Sequence, residues 1–520
     1  MDRLSTLDAE FLHVEDGIAH MHIAGVCVFE NPAPSIEEVR ALVESKLHLI
    51  PRYRQRISTV PLELGRPVWV DDPHFLLDYH VRHTALPAPG GDTQLEALMG
   101  RLMSQPLDRD RPLWEGWLVD GLAGDRWALI FKVHHCMVDG IAGVELLTII
   151  LSTESDASIG EPEPWQPEHE PRGIAKVLDA WGGLAGDLWG WACKIPHLVV
   201  DPVGTARGLR ETAEGLAGFL HNLTVPPRLS IEGTIGARRA WASSSSSFDD
   251  VRTIRAAFGG TINDVVLAAV TGGYRDLLIS RGEDPDTATV RTAVPVSVRA
   301  EDAHGVPDNR VSTLLYELPV DVADPVERLA AVHGQVSEIK ESHMAEVGEA
   351  LTSLGNLVPP MVIGAVSRLA MSAEHLLPQR VINTVTTNVP GPQFPLYCLG
   401  REMKAYLPFV PITHGIRIGT AILSYNGRLF FGVTGDYDTA SDVDVVADGT
   451  SNAITELAAR AVAVTQPAAP RRRAPRKGPT KKGSPKQGSP KTGSHKTGSS
   501  KQGSPKQPGA TKPAPGTSGT

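Results

Sequence analysis

The chain has 520 residues, of which 41% are hydrophobic and 21% charged, as in an ordinary soluble globular protein of two or three domains. Its four cysteines are scattered and form no C-x-x-C pair, which excludes a disulfide framework and favours a reducing, cytosolic setting. The net charge of −10 conceals an asymmetry, because residues 471–520 hold thirteen Lys or Arg and no acid, whereas the other 470 residues hold 37 basic and 60 acidic side chains.

The first predicted domain covers residues 1–160. Its N-terminus carries three acids and no long apolar core, so we expect no signal peptide, and no apolar run approaches the ~20 residues needed to span a bilayer. We therefore expect membrane contact, if any, to be peripheral. Hydrophobic periodicity and turn residues predict a strand at Met21–Glu30, helices at Ile36–His48 and near Thr93–Met103, and a hairpin of Leu113–Leu122 with Arg126–His134.

A Pro- and Glu-rich stretch, Gly160–Pro171, marks a boundary, and residues 161–225 are predicted to be a helical crossover. Three tryptophans cluster in this crossover. Their mixed spacing favours packing in a core or between domains over a binding platform, and a membrane interface is a further possibility: Trp181, Trp189 and Trp191.

The second predicted domain covers residues 226–465. An apolar helix is predicted to begin at Asn263. Either Asn263 or one of its neighbours is a suitable N-cap for this helix. The sequence Asn426-Gly427 is a strong signal for a two-residue hairpin turn. Strands are predicted at Ala288–Ser297, Ser312–Leu318, Ala421–Tyr425 and Leu429–Thr434. Because strands and helices mix throughout both domains, the fold class is α/β or α+β.

Residues 466–520 are rich in Lys, Gly, Ser and Pro, and the unit Gly-Ser-Pro-Lys-Gln recurs in them. Such a segment lacks the apolar surface that would offset the entropy of ordering it, so we expect a disordered basic tail. It could serve as a solubilising extension, or as an electrostatic tether to anionic lipid or nucleic acid.

The most informative motif is H-H-x-x-x-D-G, formed by His134, His135, Asp139 and Gly140. It follows a predicted strand, and adjacent side chains on a strand point to opposite faces, so the two histidines cannot do the same work. An imidazole has a suitable pKa for removing a proton near neutral pH. We therefore predict that His135 is a general base for direct acyl transfer and that His134 supports it.

Three other interpretations of the motif remain open. Both histidines could be purely structural, or they could bind a metal ion, although two vicinal histidines rarely chelate one ion well and no other His or Cys cluster lies nearby. Cys136 could be a nucleophile, although neighbouring side chains usually diverge.

The remaining site candidates support the reacting groups. We expect Asp139 to hold the loop, with Arg299 as its cationic partner, and Gly140 to permit a sharp turn. Acyl transfer develops an oxyanion, which needs a hydrogen-bond donor. The segment Thr386–Pro392 offers hydroxyls, an amide and a rigid Pro/Gly turn, so Thr387 and Asn388 are oxyanion candidates, although the segment could also be an ordinary surface turn.

Taken together, these motifs resemble the bacterial wax ester synthase/diacylglycerol acyltransferase family of the type abundant in mycobacteria. The resemblance covers about residues 4–460 and leaves out the tail. The H-H-x-x-x-D-G motif is shared with a wider superfamily, and the other elements narrow it to this branch. They are the opening Leu4–Leu12, Pro112-Leu113-Trp114, Asn263-Asp264 and Asn388–Pro392.

The resemblance implies two chloramphenicol-acetyltransferase-like α/β domains with the active site in a tunnel at their interface. It implies His135 as general base, long-chain acyl-CoA as co-substrate, no cofactor or metal, and diacylglycerol or a fatty alcohol as acceptor. Asn263 and Asp264 are then functionally important residues that support the tunnel, and Pro112 and Trp114 are motif positions near the acyl path. The expected location is cytoplasmic, with peripheral attachment to the inner membrane or to lipid droplets.

Two other functions compete with neutral-lipid synthesis. One is a condensation-type acyltransferase that uses a carrier-protein thioester to assemble complex lipids or peptides, although no carrier domain is fused to the chain. The other is an inert scaffold on lipid droplets or the envelope, whose working part is the basic tail. The complete histidine motif disfavours the scaffold.

Overall fold

A computed structural model describes residues 2–61, 65–137, 147–171, 173, 176, 228–297, 311–341 and 382–465. Up to residue 137 its helices and strands are α1 (Thr6–Val14), β1 (His22–Glu30), α2 (Ile36–Lys46), β2 (Gln55–Ser58), β3 (Val68–Asp71), α3 (Leu77–His80), β4 (Val81–Ala85), α4 (Asp92–Met103), β5 (Trp114–Leu122) and β6 (Arg126–His134).

From residue 228 onward the described elements belong to the second half of the chain. They are β7 (Glu232–Gly233), β8 (Arg239–Ser247), α5 (Phe248–Phe258), α6 (Ile262–Ser280), β9 (Val290–Ser297), β10 (Val311–Leu318), α7 (Pro325–Glu341), β11 (Thr384–Pro390), β12 (Tyr397–Cys398), β13 (Arg401–Phe409), β14 (Gly415–Ile416), β15 (Ile418–Tyr425), β16 (Arg428–Asp436) and α8 (Val443–Thr465).

The first large sheet has the strand order β12-β13-β1-β6-β5-β4. Its neighbours are antiparallel except for β4 and β5, which run parallel. The predicted hairpin of β5 and β6 is confirmed, and Gly124 and Asp125 in its turn both have positive φ. The predicted strand at β1 and the helices α2 and α4 are also confirmed to within two residues at each end.

The second large sheet has the order β10-β9-β11-β15-β16-β8. Strands β9, β11 and β15 run parallel, and the outer pairs are antiparallel. The hairpin of β15 and β16 turns at Asn426 and Gly427, whose φ values of 43° and 78° suit the predicted two-residue turn. All four strands predicted in this half are present, so the mixed α/β class is confirmed.

The interpretation of Thr386–Pro392 as a surface turn is wrong for most of its length. Residues Thr384–Pro390 form β11, which lies in the interior of the second sheet between β9 and β15. Parallel strands are buried on both faces and depend on long-range pairing, so composition alone did not distinguish this strand from a turn. Only Gly391 and Pro392 lie beyond the end of the strand.

The two sheets are joined by strand exchange, because β12 and β13 come from the second half of the chain yet belong to the first sheet. Strand β13 pairs with β1 from Ala24–Phe409 to Phe29–Met403. The sheets also approach each other closely at Gly432 of β16, where a Cβ would lie 1.7 Å from the carbonyl oxygen of Pro408. The limits predicted for the domains, with a boundary near residue 226, remain a prediction.

The described part of the predicted boundary segment lies against the first half. Glu170 forms a salt bridge with Arg56, and the Arg54 guanidinium lies 4.7 Å from the ring centroid of Trp165. Most of the predicted crossover at 161–225, including its three tryptophans, lies outside the described residues, as does the tail at 466–520.

Helix α6 is the centre of the larger hydrophobic core, in which it packs against the second sheet and α8. Among the described residues, no single helix is both long and apolar enough to cross a membrane. The pair α5 and α6, bent by 104°, passes the same test of length and composition.

Candidate active site

The histidine motif begins where β6 ends. His134 is the last residue of β6, and His135 opens a 3₁₀ turn that runs to Met137. The His135 backbone N–H donates to the Met21 carbonyl at 2.8 Å, and the His135 ring stacks on Phe11 of α1 with 4.1 Å between ring centroids. The His135 side chain is half-buried, whereas His134 is only 1% exposed. The two rings therefore occupy different environments.

The buried His134 ring lies beside Glu15, which follows directly after α1. Its Nε2 is 3.4 Å from Glu15 Oε2, and Nε2 of His22 is 3.2 Å from Glu15 Oε1. Arg109 donates to Glu15 Oε2 at 2.6 Å, and His20 Nδ1 lies 3.8 Å from Oε1. These five residues, Glu15, His20, His22, Arg109 and His134, are called the Glu15 cluster. The cluster surrounds the His134 side chain at the end of β6.

The sequence reasoning missed the Glu15 cluster. A signal was present: His20 and His22 are two residues apart at the start of a predicted strand, which places both side chains on one face, and an acid precedes them. A buried carboxylate is the expected counterpart of buried imidazoles.

The electrostatics of the Glu15 cluster favour an ionised carboxylate beside neutral His20 and His22 rings. Burial alone would raise the pKa of Glu15, but the adjacent His134 and His22 rings and Arg109 lower that pKa far below its usual range. Burial lowers the pKa of His22 to about 3 and also lowers the pKa of His20. At neutral pH, Glu15 is therefore negative and is balanced by Arg109, while His20 and His22 are neutral.

The site lies where the two halves of the chain meet. Phe11 and Val14 of α1 pack against a small core that contains Ala19 and Met21 together with Ile235 and Ile412 of the second half. In addition, His414 Nε2 lies 3.1 Å from Asp16 Oδ2. Helix α1, whose Phe11 covers the His135 ring, is thus held by both halves.

The Pro112-Leu113-Trp114 motif is adjacent to the histidines through the backbone. The His134 N–H donates to the Leu113 carbonyl at 2.9 Å, and Trp114 pairs with Val133 in the sheet register. The Trp114 ring is buried, its Nε1 donates to the Tyr53 carbonyl at 2.8 Å, and it stacks on the ring of His80. These contacts give Leu113 and Trp114 a supporting position next to β6.

Asn263 and Asn388, which are far apart in sequence, are brought together. Asn388 Nδ2 donates to Asn263 Oδ1 at 3.2 Å, which joins β11 to the first turn of α6. Asp264 is fully buried and closes the capping box of this helix with Thr261, which is the N-cap two residues before Asn263. Asp264 also accepts from the ring of His333 at 2.8 Å.

The two oxyanion candidates lie on opposite faces of β11. Successive strand residues point to opposite sides, so Asn388 shares the face that packs on α6, and Thr387 points the other way. Val389, on the face of Thr387, packs against the hydrophobic cluster that contains Trp114 and Val133. Thr387 therefore faces the first half of the chain, whereas Asn388 does not.

Three predicted site residues, Asp139, Gly140 and Arg299, lie outside the described residues, so the proposed pairing of Asp139 with Arg299 remains a prediction. Among the described residues, no group of three or more His, Cys, Asp or Glu side chains has a geometry that would hold a metal ion. Cys136 is buried among apolar residues, and burial raises the pKa of its thiol well above the ordinary value, which disfavours a nucleophilic thiolate.

Comparison with known proteins matches residues 4–266 to the wax ester synthase/diacylglycerol acyltransferase catalytic domain and residues 308–458 to the C-terminal domain of the same family. A Mycobacterium tuberculosis protein named probable diacylglycerol O-acyltransferase tgs1 is 37% identical over 462 residues, which cover 88% of this chain and 96% of that protein.

Solved structures agree with this assignment. The wax ester synthase/diacylglycerol acyltransferase from Marinobacter aquaeolei VT8 has a TM-score of 0.63 at 26% identity, covering 89% of this chain and all of that one. The first condensation domain of the calcium-dependent antibiotic synthetase shares the fold, with a TM-score of 0.56 at 17% identity over 88% of this chain and 96% of that one. The two-sheet α/β architecture is therefore that of the chloramphenicol-acetyltransferase-like acyltransferases, and this chain belongs to the wax ester synthase/diacylglycerol acyltransferase family.

Proposed function

We propose that the protein transfers a long-chain acyl group from acyl-CoA to the free hydroxyl of diacylglycerol, forming triacylglycerol, and that it accepts long-chain alcohols to form wax esters. The observation that carries this proposal is the half-buried His135, which is held at the end of β6 by Met21 and Phe11 in a chain of this family. The name of the mycobacterial relative supports diacylglycerol as the acceptor.

In the proposed reaction, the His135 imidazole takes the hydroxyl proton while the acceptor oxygen attacks the thioester carbonyl. A carbon–oxygen bond forms, the carbon–sulfur bond then breaks, and the proton passes from the imidazole to the departing thiolate. Direct transfer needs no acyl-enzyme, and we propose that it needs no cofactor or metal beyond acyl-CoA as co-substrate.

The supporting roles follow from the positions of the side chains. The Glu15 carboxylate lies 3.4 Å from Nε2 of the buried His134, and because His134 adjoins His135 along the backbone, we propose that this contact helps to position the base. The placement of Thr387 on the face toward the first half favours it over Asn388 as a donor to the oxyanion. Asp139 is proposed to hold the loop, with Arg299 as its partner.

The experiment supplies purified full-length protein with radiolabelled palmitoyl-CoA and either diolein or hexadecanol, and separates the lipid products. We expect labelled triacylglycerol with diolein, and loss of product in His135→Ala. No neutral lipid from either acceptor would overturn the proposal. Equal loss in His134→Ala, with its fold shown intact by circular dichroism, would remove the reason for naming His135 alone as the base.

The second candidate, transfer from a carrier-protein thioester, is favoured only by the fold shared with condensation domains. A parallel reaction that replaces palmitoyl-CoA with a palmitoyl-loaded carrier protein separates the two functions. Turnover with the carrier protein and none with the coenzyme A thioester would establish the second candidate.

We also propose a cytoplasmic location with peripheral attachment to the inner membrane or to lipid droplets. The support is compositional: residues 471–520 carry thirteen basic side chains and no acid, which suits contact with anionic lipid, or alternatively with nucleic acid. Deleting 466–520 should weaken binding to phosphatidylglycerol vesicles and leave turnover in detergent unchanged. Unchanged vesicle binding would refute the tether.

A further inference from the structure

Two arginines, Arg228 and Arg417, face each other across Gly233 on the second half of the chain. Their Nη2 atoms lie 3.0 and 2.8 Å from the position that a Cβ at Gly233 would occupy, so both guanidinium groups border the space that a side chain would take there. Gly233 has a φ of 128° and lies in the short strand β7, which pairs with β14 immediately before Arg417. Gly233 therefore places no side chain between the two guanidinium groups of this arginine pair.

Among the described residues, no carboxylate forms a direct salt bridge with the arginine pair, although Asp436 and Glu232 act on Arg417 from a greater distance and raise its pKa. Arg417 Nε and Nη1 donate to the carbonyls of Thr234 and Ser230 at 3.3 and 3.1 Å, and within the described ranges neither guanidinium is ion-paired. The nearby Arg281 is already paired with Asp442. Burial lowers the pKa of Arg417, and the adjacent Arg228 lowers it further. Two neighbouring like charges are unfavourable unless an anion bridges them.

The position of the arginine pair connects it to the active site. Arg417 is three residues beyond His414, which contacts Asp16, and the segment from Asp16 to Met21 carries the carbonyl that holds the His135 backbone. Ile235 and Ile412, which flank the pair in sequence, pack against Met21 in the same small core. The arginine pair is therefore linked to the segment that holds the base through His414 and the small core around Met21.

We propose that Arg228 and Arg417 bind phosphate groups at the nucleotide end of the acyl-CoA donor, an inference that rests on the proposed use of that donor. Coenzyme A carries its phosphates at the end remote from the thioester, so their site must lie away from His135. Guanidinium groups bind phosphate through paired hydrogen bonds. A local basic site is also needed because residues 1–470 carry 60 acidic and 37 basic side chains, which repel a polyanion.

The test compares palmitoyl-CoA with palmitoyl-pantetheine, which has the same thioester and lacks the nucleotide. In Arg228→Gln the KM for palmitoyl-CoA should rise about tenfold with kcat little changed, as expected for one lost charge-assisted hydrogen bond. The KM for palmitoyl-pantetheine should equal that of the wild type. Arg228 is the first choice because it is exposed, whereas Arg417 also holds backbone carbonyls. Arg417→Gln should show the same pattern, and Arg417→Lys should recover part of the affinity.

The matched control is Arg252→Gln, an exposed arginine of α5 that is paired with Asp249. It should leave both KM values unchanged. Equal effects of Arg228→Gln on the two donors, or no effect on either, would overturn the proposal.

Binding of adenosine 3′,5′-bisphosphate, measured by calorimetry, needs no turnover and so separates this proposal from the proposed function. We expect wild-type protein to bind it and Arg228→Gln to bind it at least several-fold more weakly. If Arg228→Gln instead bound the nucleotide normally and lost affinity for phosphatidic acid vesicles, the phosphate would belong to a lipid headgroup and the proposal would fail.

Discussion

The carboxylate of Glu15 lies 3.4 Å from Nε2 of His134, the residue that directly precedes the proposed base. Glu15 is the C-cap residue of α1, and His134 is the last residue of β6. The buried pair ties the helix that covers His135 to the strand that presents it, so the geometry of the base depends on a carboxylate that takes no part in the reaction.

Glu15→Gln should therefore lower both stability and turnover. The substitution removes the negative charge that faces Arg109 and the histidine rings, and we expect a loss of about 2 kcal/mol in the free energy of unfolding. We also expect kcat to fall more than tenfold, because a displaced His134 moves His135. Urea unfolding and steady-state kinetics measure the two effects. Glu37→Gln, on the exposed side of α2, is the control and should change neither.

The buried His22 should make the protein sensitive to acid. Its pKa is about 3 in the folded state, whereas an unfolded histidine has a pKa of about 6.5. Between these values the unfolded chain binds a proton that the folded chain does not, so stability falls as the pH falls. Glu15 adds to the loss below about pH 4.5, because its pKa is depressed in the folded state.

The contribution of His22 can be isolated with His22→Gln. Near pH 5, the stability of wild-type protein should fall by about 1.4 kcal/mol per pH unit more than that of the variant. Urea unfolding at closely spaced pH values gives the two slopes. Parallel slopes would show that His22 is protonated in the folded protein.

The hydrogen bond between Asn388 and Asn263 should appear as an energetic coupling. In a double-mutant cycle of Asn263→Ala and Asn388→Ala, we expect about 1 kcal/mol of coupling in the free energy of unfolding. Thr387→Ala is a built-in control, because its side chain lies on the opposite face of β11. Its effect should add to that of Asn263→Ala, and a coupling as large as that of Asn388 would contradict the assigned faces.

Gly432→Ala should be strongly destabilising. The new Cβ would lie 1.7 Å from the Pro408 carbonyl oxygen, and a backbone atom cannot rotate away, so we expect a loss of about 3 kcal/mol. Gly334→Ala in α7 provides the contrast, because nothing lies within 4 Å of its Cβ position. In a helix that substitution should stabilise by about 0.5–1 kcal/mol. Thermal denaturation of both variants gives the comparison.

Much of the fold was predictable because its signals are local. The β5–β6 and β15–β16 hairpins follow from alternation and turn residues, and the start of α6 follows from its polar cap. Alternation along a strand predicted different environments for His134 and His135, and their environments do differ, but the cause is that β6 ends at His134 and His135 already belongs to the 3₁₀ turn.

The rest depends on contacts between distant parts of the chain. Strand β11 has a turn-like composition and becomes a strand only through β9 and β15. The partnership of Glu15 with His134 joins residues that no periodic pattern connects. Strand β13 likewise joins a distant part of the chain, because its partner β1 begins at His22 and β13 begins at Arg401, 379 residues later.

The exchange of β12 and β13 into the first sheet has a consequence for recombining members of this family. A chimera that joins the first half of one relative to the second half of another would pair β1 of one parent with β13 of the other, so neither strand would keep the neighbour that it has in its own parent. Crossovers should therefore carry residues 397–409 together with the first half. A gene split between the halves would leave β1 with an open edge until the other fragment bound, which makes the pair a candidate for reconstitution from two chains.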